Sequence, residues 1–142
     1  MKSGLYLAAP LFSVAERTFN SSLERQLSPW FEVFLPQRDG LLFTELVANG
    51  DTVDSARQII FRGDIAAIRR SEVFLVVLDG RTVDEGASFE LGFAYALGKN
   101  CLGLQTDQRR LLPTGNNPMI DSALSRIFNS TNELIQWVQR RI

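Results

Sequence analysis

Glu90 is the one charged residue between Ala87 and Gly98, in the segment Asp84-Glu85-Gly86-Ala87-Ser88-Phe89-Glu90-Leu91-Gly92-Phe93-Ala94-Tyr95-Ala96-Leu97-Gly98-Lys99. The segment follows an apolar strand and reads as a helix, Ala87–Gly98, with Asp84 or Glu85 near its N-cap. At helical spacing Glu90 shares a stripe with Ala87, Leu91 and Ala94. A helix that is apolar all round is normally buried, so the carboxylate is expected in or beside the core. An ion buried without a partner is costly or shifts its pKa upward. Glu90 is therefore either a nucleophile or general acid facing a cleft, or a Glu paired with an Arg or capping nearby backbone.

Asp64 is a second carboxylate on an apolar stripe, in the helix 56–70 on the side of Ile60, Phe61 and Ile68. Its neighbour Gly63 weakens that helix by roughly 1 kcal/mol relative to Ala, which fits close approach to something else; a surface Asp is the other reading. Asp79 and Asp84 bracket the loop after the third strand. With Glu90 they would set three carboxylates around one crevice, although loop carboxylates also serve simply as caps or solvated groups.

The chain has no histidine and a single cysteine, Cys101, which excludes an internal disulfide, a His-based zinc site and any Ser-His or Cys-His couple. Acid–base or nucleophilic work falls to carboxylates, Lys, Tyr or hydroxyls. The turn Ala8-Ala9-Pro10-Leu11-Phe12-Ser13 lacks the G-x-G-x-x-G pattern, and no G-x-x-x-x-G-K-[ST] string is present. Several carboxylates without histidine, metal-ligand spacing or a phosphate fingerprint point to sugar chemistry, with one carboxylate as nucleophile and another group handling the leaving-group proton. No cofactor and no metal are expected.

These residues are carried by alternating elements. Strands are expected at 4–8, 32–35, 73–78, 101–105 and 126–128, and helices at 14–27, 53–70, 87–98 and 131–141. A short helix at 120–124 and another within 41–49 are less distinct. Strands apolar on both faces in a β/α alternation imply a parallel sheet covered on both sides. The fold class is therefore α/β, a three-layer flavodoxin-like or Rossmann-like fold with five parallel strands. In such sheets ligands bind beyond the carboxyl ends of the strands, here after Ala8, Leu35, Leu78 and Gln105.

A chain of 142 residues, 45% hydrophobic, is long enough for one core, and one domain over 1–142 is expected. Fifteen basic against sixteen acidic residues, with no basic block, argue against nucleic acid or an anionic membrane as partner and for a small ligand. The apolar start Leu5-Tyr6-Leu7-Ala8-Ala9 is too short for a signal peptide or a bilayer span, so a soluble, cytoplasmic protein is expected.

Four strings together resemble the nucleoside 2-deoxyribosyltransferases in order and spacing: Tyr6-Leu7-Ala8-Ala9-Pro10-Leu11-Phe12-Ser13, Gly63-Asp64, Asp84-Glu85-Gly86-Ala87-Ser88-Phe89-Glu90-Leu91-Gly92, and Asn117-Pro118-Met119-Ile120. The most specific part is the pair of steps from Asp64 to Asp84 and from Asp84 to Glu90. The resemblance implies a retaining double displacement in which Glu90 attacks the anomeric carbon of a 2'-deoxynucleoside and a free nucleobase then accepts the sugar. It implies that Asp64 relays the base proton, Asp84 holds sugar hydroxyls, Tyr6 positions the carboxylates and Phe12 packs on the base. By the same resemblance Ala8, Asp79 and the stretch Gln37-Arg38-Asp39-Gly40, Asp39 in particular, line the substrate site. Asn117 and Met119 would reach a neighbouring subunit's substrate, so a homo-oligomer is implied.

Two alternatives remain at this level. One is a hydrolase of 2'-deoxynucleoside 5'-monophosphates on the same fold, and the other a non-catalytic nucleotide-sensing module. The turn after the first strand has no basic residue, which favours an unphosphorylated nucleoside.

Overall fold

Runs such as Val73-Phe74-Leu75-Val76-Val77, apolar at every position, bury both strand faces and so belong in the middle of a covered parallel sheet. The computed structural model describes residues 1–110 and 112–141. Its five strands, β1 (Ser3–Ala8), β2 (Phe31–Phe34), β3 (Val73–Val77), β4 (Asn100–Leu104) and β5 (Arg126–Phe128), are all parallel, in the order β2-β1-β3-β4-β5. The helices are α1 (Val14–Leu27), α2 (Pro36–Asp39), α3 (Phe43–Ala48), α4 (Val53–Arg70), α5 (Glu85–Ala96), α6 (Pro118–Asp121) and α7 (Thr131–Gln139). The fold is the three-layer α/β arrangement that the alternation of elements implies.

Strand alternation sorts the core into two clusters. Leu5 and Leu7 of β1 and Leu75 and Val77 of β3 pack with Leu23 and Leu27 of α1 and Leu134 and Val138 of α7. Tyr6 and Ala8, with Phe74, Val76 and Leu78, face the opposite layer of Ala67 and Ile68 from α4 and Ala87, Leu91 and Ala94 from α5. Truncating a side chain such as Leu91, fully enclosed there, costs about 2–5 kcal/mol.

Helix starts follow their caps. Ser13 and Glu16 form a capping box at α1, and Asp84 caps α5 by accepting the Ala87 N–H at 2.9 Å. That cap starts α5 at Glu85, ahead of the expected Ala87. The helix α2 is an addition to the sequence reading, made possible by Pro36, whose fixed φ suits a first helical turn. Pro118 likewise sets α6 at 118–121, capped by Asn117, where 120–124 was expected.

The largely apolar α5 is not wholly buried. Ala87, Leu91 and Ala94 are enclosed, whereas Phe89, Tyr95 and Leu97 are exposed on the single chain. On α4, Ile68 is buried but Phe61 turns outward, against Phe89 at 6.0 Å between ring centroids. Among the described residues, no helix is long and apolar enough to cross a membrane.

Candidate active site

In the observed strand order the connections reverse direction between β1 and β3, and open sheets of this kind bind ligands at the carboxyl ends of the strands beside such a switch point. The chain leaves β1 toward α1 on one face and β3 toward α5 on the other. Tyr6, at an even position of β1, points to the α4/α5 layer because strand neighbours alternate faces. There its hydroxyl donates a hydrogen bond to Glu90 Oε2, from a helix that begins right after the loop leaving β3.

The electrostatics of this pair follow from burial. Desolvation, then the nearby charges of Glu90 and Asp64, hold the Tyr6 phenol far above its ordinary pKa, so it remains a donor throughout the physiological range. Burial pushes Glu90 up to about 7, with Asp64 and Asp84 adding repulsion and the Tyr6 hydrogen bond pulling the other way. Burial alone pushes Asp64 up to about 6. Among the described residues no ion pair engages Glu90 or Asp64. Asp64 and Asp84 are thus close enough to disfavour the charge on Glu90, and among the described residues the Tyr6 hydroxyl is the group that favours it.

Asp84 joins the group through its backbone position, with Oδ2 committed to the Ala87 N–H. Among the described residues no three of His, Cys, Asp and Glu converge closely enough to chelate a metal ion, these carboxylates included.

The other sequence-expected residues are distributed more widely. The Ala8 side chain is sealed in the core at the end of β1. Phe12, in the turn that follows, is 76% exposed. Asp79 is engaged internally: it accepts the Thr106 N–H at 2.6 Å, the Thr106 hydroxyl at 2.6 Å and the Asp107 N–H at 2.9 Å, fastening the loop after β4 to the end of β3. Asp39 is engaged too, accepting the Leu35 N–H at 2.9 Å and pairing with Arg38 at 2.7 Å; these contacts hold its carboxyl below the usual range. It borders a cavity of about 560 Å³ with Lys2, Glu32, Arg38, Arg70 and Glu72, none of which belongs to the carboxylate group around Glu90.

Asn117 spends its side-chain oxygen on the Met119 N–H at 2.9 Å, and Met119 is 80% exposed. Both line a cavity of about 400 Å³ with Arg81, Val83, Ser88 and Ile120. Ser88 and Glu90 lie about 200° apart around α5, so this cavity is on the opposite flank of the helix from Glu90.

Sequence reasoning passed over two sets of residues. Asn116 exchanges hydrogen bonds with buried Gln105 at 2.8 and 2.9 Å and donates to Asp121 at 2.8 Å, which braces the turn presenting Asn117 and Met119. The polar Gln105, placed directly after an apolar strand, was the available signal. Phe34 and Phe74, which flank Tyr6, left no such signal, because their alignment depends on strand register.

No curated protein matches the chain. It is similar in structure to a conserved protein from Enterococcus faecalis V583 (24% identity, TM-score 0.83, 100% of both chains covered). It is also similar to the 2-deoxyribosyltransferase of Bacillus psychrosaccharolyticus (25% identity, TM-score 0.77, 94% of this chain and 90% of that one). A 2-desoxiribosyltransferase from Leishmania mexicana shares the fold at 21% identity, with a TM-score of 0.67 and 99% of both chains covered. The family model described as nucleoside 2-deoxyribosyltransferase matches residues 5–134, taking in Tyr6, Asp64, Asp84 and Glu90, and the chain belongs to that family.

Proposed function

We propose that the protein transfers 2-deoxyribose from a 2'-deoxynucleoside to a free nucleobase through a covalent intermediate on Glu90. The observation that carries this reading is the Glu90 carboxylate itself: free of any ion pair among the described residues, held by the Tyr6 hydroxyl and flanked by Asp64 and Asp84, beside the topological switch point between β1 and β3.

In the first step a Glu90 oxygen bonds to the anomeric carbon as the bond from that carbon to the base nitrogen breaks. The electron pair leaves with the base, and a proton from Asp64 neutralises it. In the second step the acceptor base loses its proton to Asp64, and its nitrogen displaces Glu90 from the same carbon. Two inversions give net retention. A 2-deoxy sugar lacks the electron-withdrawing hydroxyl next to the reacting carbon, so its oxocarbenium-like transition state is accessible with an anion beside it. Asp84 holds the sugar hydroxyls and Phe12 packs on the base.

An unphosphorylated donor fits the turn after β1. Helix N-termini attract phosphate, but here a carboxylate already lies at the entry to α1: Ser13 N–H and Phe12 N–H donate to Glu16 Oε1 at 2.7 and 3.2 Å. An arriving phosphate would meet a carboxylate there. Exposed Phe61, Phe89 and Tyr95 on the outer side of α4 and α5 support a homo-oligomer, in which Asn117 and Met119 of one subunit complete the site of another.

The test is an incubation of deoxyadenosine or thymidine with and without a different free base, followed by chromatography. A new deoxynucleoside that appears only with the acceptor is the expected product. Base release at a rate indifferent to the acceptor would make the protein a hydrolase, and binding without turnover a sensor. Mass spectrometry of the denatured donor complex should find a deoxyribosyl group on Glu90.

A further inference from the structure

Tyr6 stands directly opposite Phe34 on one side and Phe74 on the other in the parallel registers of β1 with β2 and β3. The three side chains leave the sheet on the same face, and their rings stack. Tyr6 and Phe34 lie 5.4 Å apart between centroids with 18° between planes; Tyr6 and Phe74 lie 5.7 Å apart at 6°. On the far side of Phe34 the Arg70 guanidinium sits 5.1 Å from the ring centroid. The result is a column, Arg70 on Phe34 on Tyr6 on Phe74, whose third layer carries the hydroxyl that donates to Glu90.

A tyrosine has two side-chain torsions, and the ring plane decides where its hydroxyl lands. A ring held on both faces has little freedom to swing. Phe74 is fully buried and belongs to the core in any case. Phe34 differs: it lies on the edge strand, is only partly buried, and its outer surface forms part of the wall of the 560 Å³ cavity. It does not take part in the hydrogen bonds around Glu90. We propose that Phe34 is a positioning residue, holding the Tyr6 ring so that its hydroxyl stays on Glu90, with Arg70 securing the outer face of Phe34. The proposal rests on Glu90 as the reacting group and adds a residue that neither spacing nor charge identifies.

The groups that face Glu90 are Tyr6 from β1, Asp64 from α4 and Asp84 at the start of α5. Removing the Tyr6 hydroxyl takes away the one contact among the described residues that favours the anion, so the Glu90 titration moves upward. A mobile Tyr6 ring does the same in part.

The experiment follows the Glu90 carboxyl by carbon NMR in protein labelled at Glu, with the signal assigned by its loss in Glu90→Gln. Wild type, Tyr6→Phe, Phe34→Leu and the double variant are titrated, and kcat and KM are measured for deoxynucleoside turnover. Phe34→Leu is expected to move the Glu90 midpoint in the same direction as Tyr6→Phe and to lower kcat about tenfold with little change in KM. The double variant should be no worse than Tyr6→Phe alone, because without the hydroxyl there is nothing left to position. Phe34→Trp, which keeps a stacking face, should retain the wild-type midpoint.

A Phe34→Leu midpoint equal to wild type, or effects of the two substitutions that multiply, would overturn the proposal. If Phe34→Leu does not fold, Phe34→Met carries the same two outcomes. Arg70→Ala, at an exposed position, should give a smaller shift of the same sign. A protein that shows the coupled midpoint but transfers no sugar refutes the proposed reaction alone. One that transfers sugar with a midpoint indifferent to Phe34→Leu refutes only the column.

Discussion

The Tyr6 hydroxyl donates to Glu90 Oε2 across 84 residues of sequence, from a buried strand to a helix of the neighbouring layer. The contact ties β1 to the helix that follows β3. It sets the ionisation of Glu90 against desolvation, which would otherwise keep that carboxyl protonated. Tyr6→Phe keeps the ring stack and removes one charge-assisted hydrogen bond. Steady-state kinetics should show kcat lowered about 10- to 100-fold with KM nearly unchanged. An unchanged kcat would separate the tyrosine from the chemistry.

The pH dependence follows from Glu90 lying at about 7. In the proposed reaction Glu90 must be ionised while Asp64, at about 6, carries a proton. A bell-shaped kcat/KM is therefore expected, falling about tenfold per pH unit below about 6 and above about 7. In Tyr6→Phe the alkaline limb, set by the higher Glu90 value, should move to higher pH. A profile flat from pH 5 to 8 would show that no carboxyl raised in this way governs the rate.

Stability should also depend on pH. Burial raises Glu90 above its ordinary value of 4.5, so between 4.5 and about 7 the folded chain binds more protons than the unfolded one. Stability contributed by the protonated group is present below 4.5 and lost as pH rises through 7. Glu90→Gln should therefore be inactive yet more stable than wild type at pH 8, by about 1 kcal/mol or a few degrees in Tm. The difference should vanish at pH 4. Melting curves at the two pH values decide it, and a destabilised Gln variant at pH 8 would contradict the desolvation argument.

If Asn117 and Met119 complete a neighbour's site, two damaged proteins can repair each other. A one-to-one mixture of Glu90→Ala with Asn117→Ala, exchanged between subunits, should regain roughly a quarter of the wild-type sites, since random pairing makes half the dimers mixed and each mixed dimer holds one intact site. Activity that only averages the two variants would place Asn117 in its own subunit's site or outside any.

Asp79 holds Thr106 and Asp107 by three hydrogen bonds. Asp79→Ala should lower stability by about 1–3 kcal/mol. It should also expose the loop after β4 to limited proteolysis before global unfolding. Loss of activity with an unchanged melting curve and cleavage pattern would instead give Asp79 a direct part in binding.

Much of this architecture was readable from residue order. The runs at β1, β3 and β4 are apolar at nearly every position, and α1 and α4 begin after Ser13 and Thr52, whose side chains cap them; local chemistry was enough to place those elements. Short elements were less readable. α2 and α6 depend on Pro36 and Pro118 starting a turn that tertiary contacts then keep. On α4, Phe61 and Asp64 seemed to share one apolar side, but only the neighbouring helix decides which of them looks outward. Asp39 and Asp79 had the residue type of binding groups; residue type did not reveal that the fold engages their oxygens with Leu35 and Arg38, and with Thr106 and Asp107.

The sequence by itself narrowed the chemistry: without histidine, acid–base or nucleophilic work fell to carboxylates, Lys, Tyr or hydroxyls, and Glu90, alone among apolar neighbours, was the leading candidate, because composition and helical spacing are local properties. Only the tertiary structure decided what that carboxylate touches. The register that sets Tyr6 between Phe34 and Phe74, and the layer that brings α5 over β1, arise from contacts between residues far apart in the chain, and no local pattern encodes them.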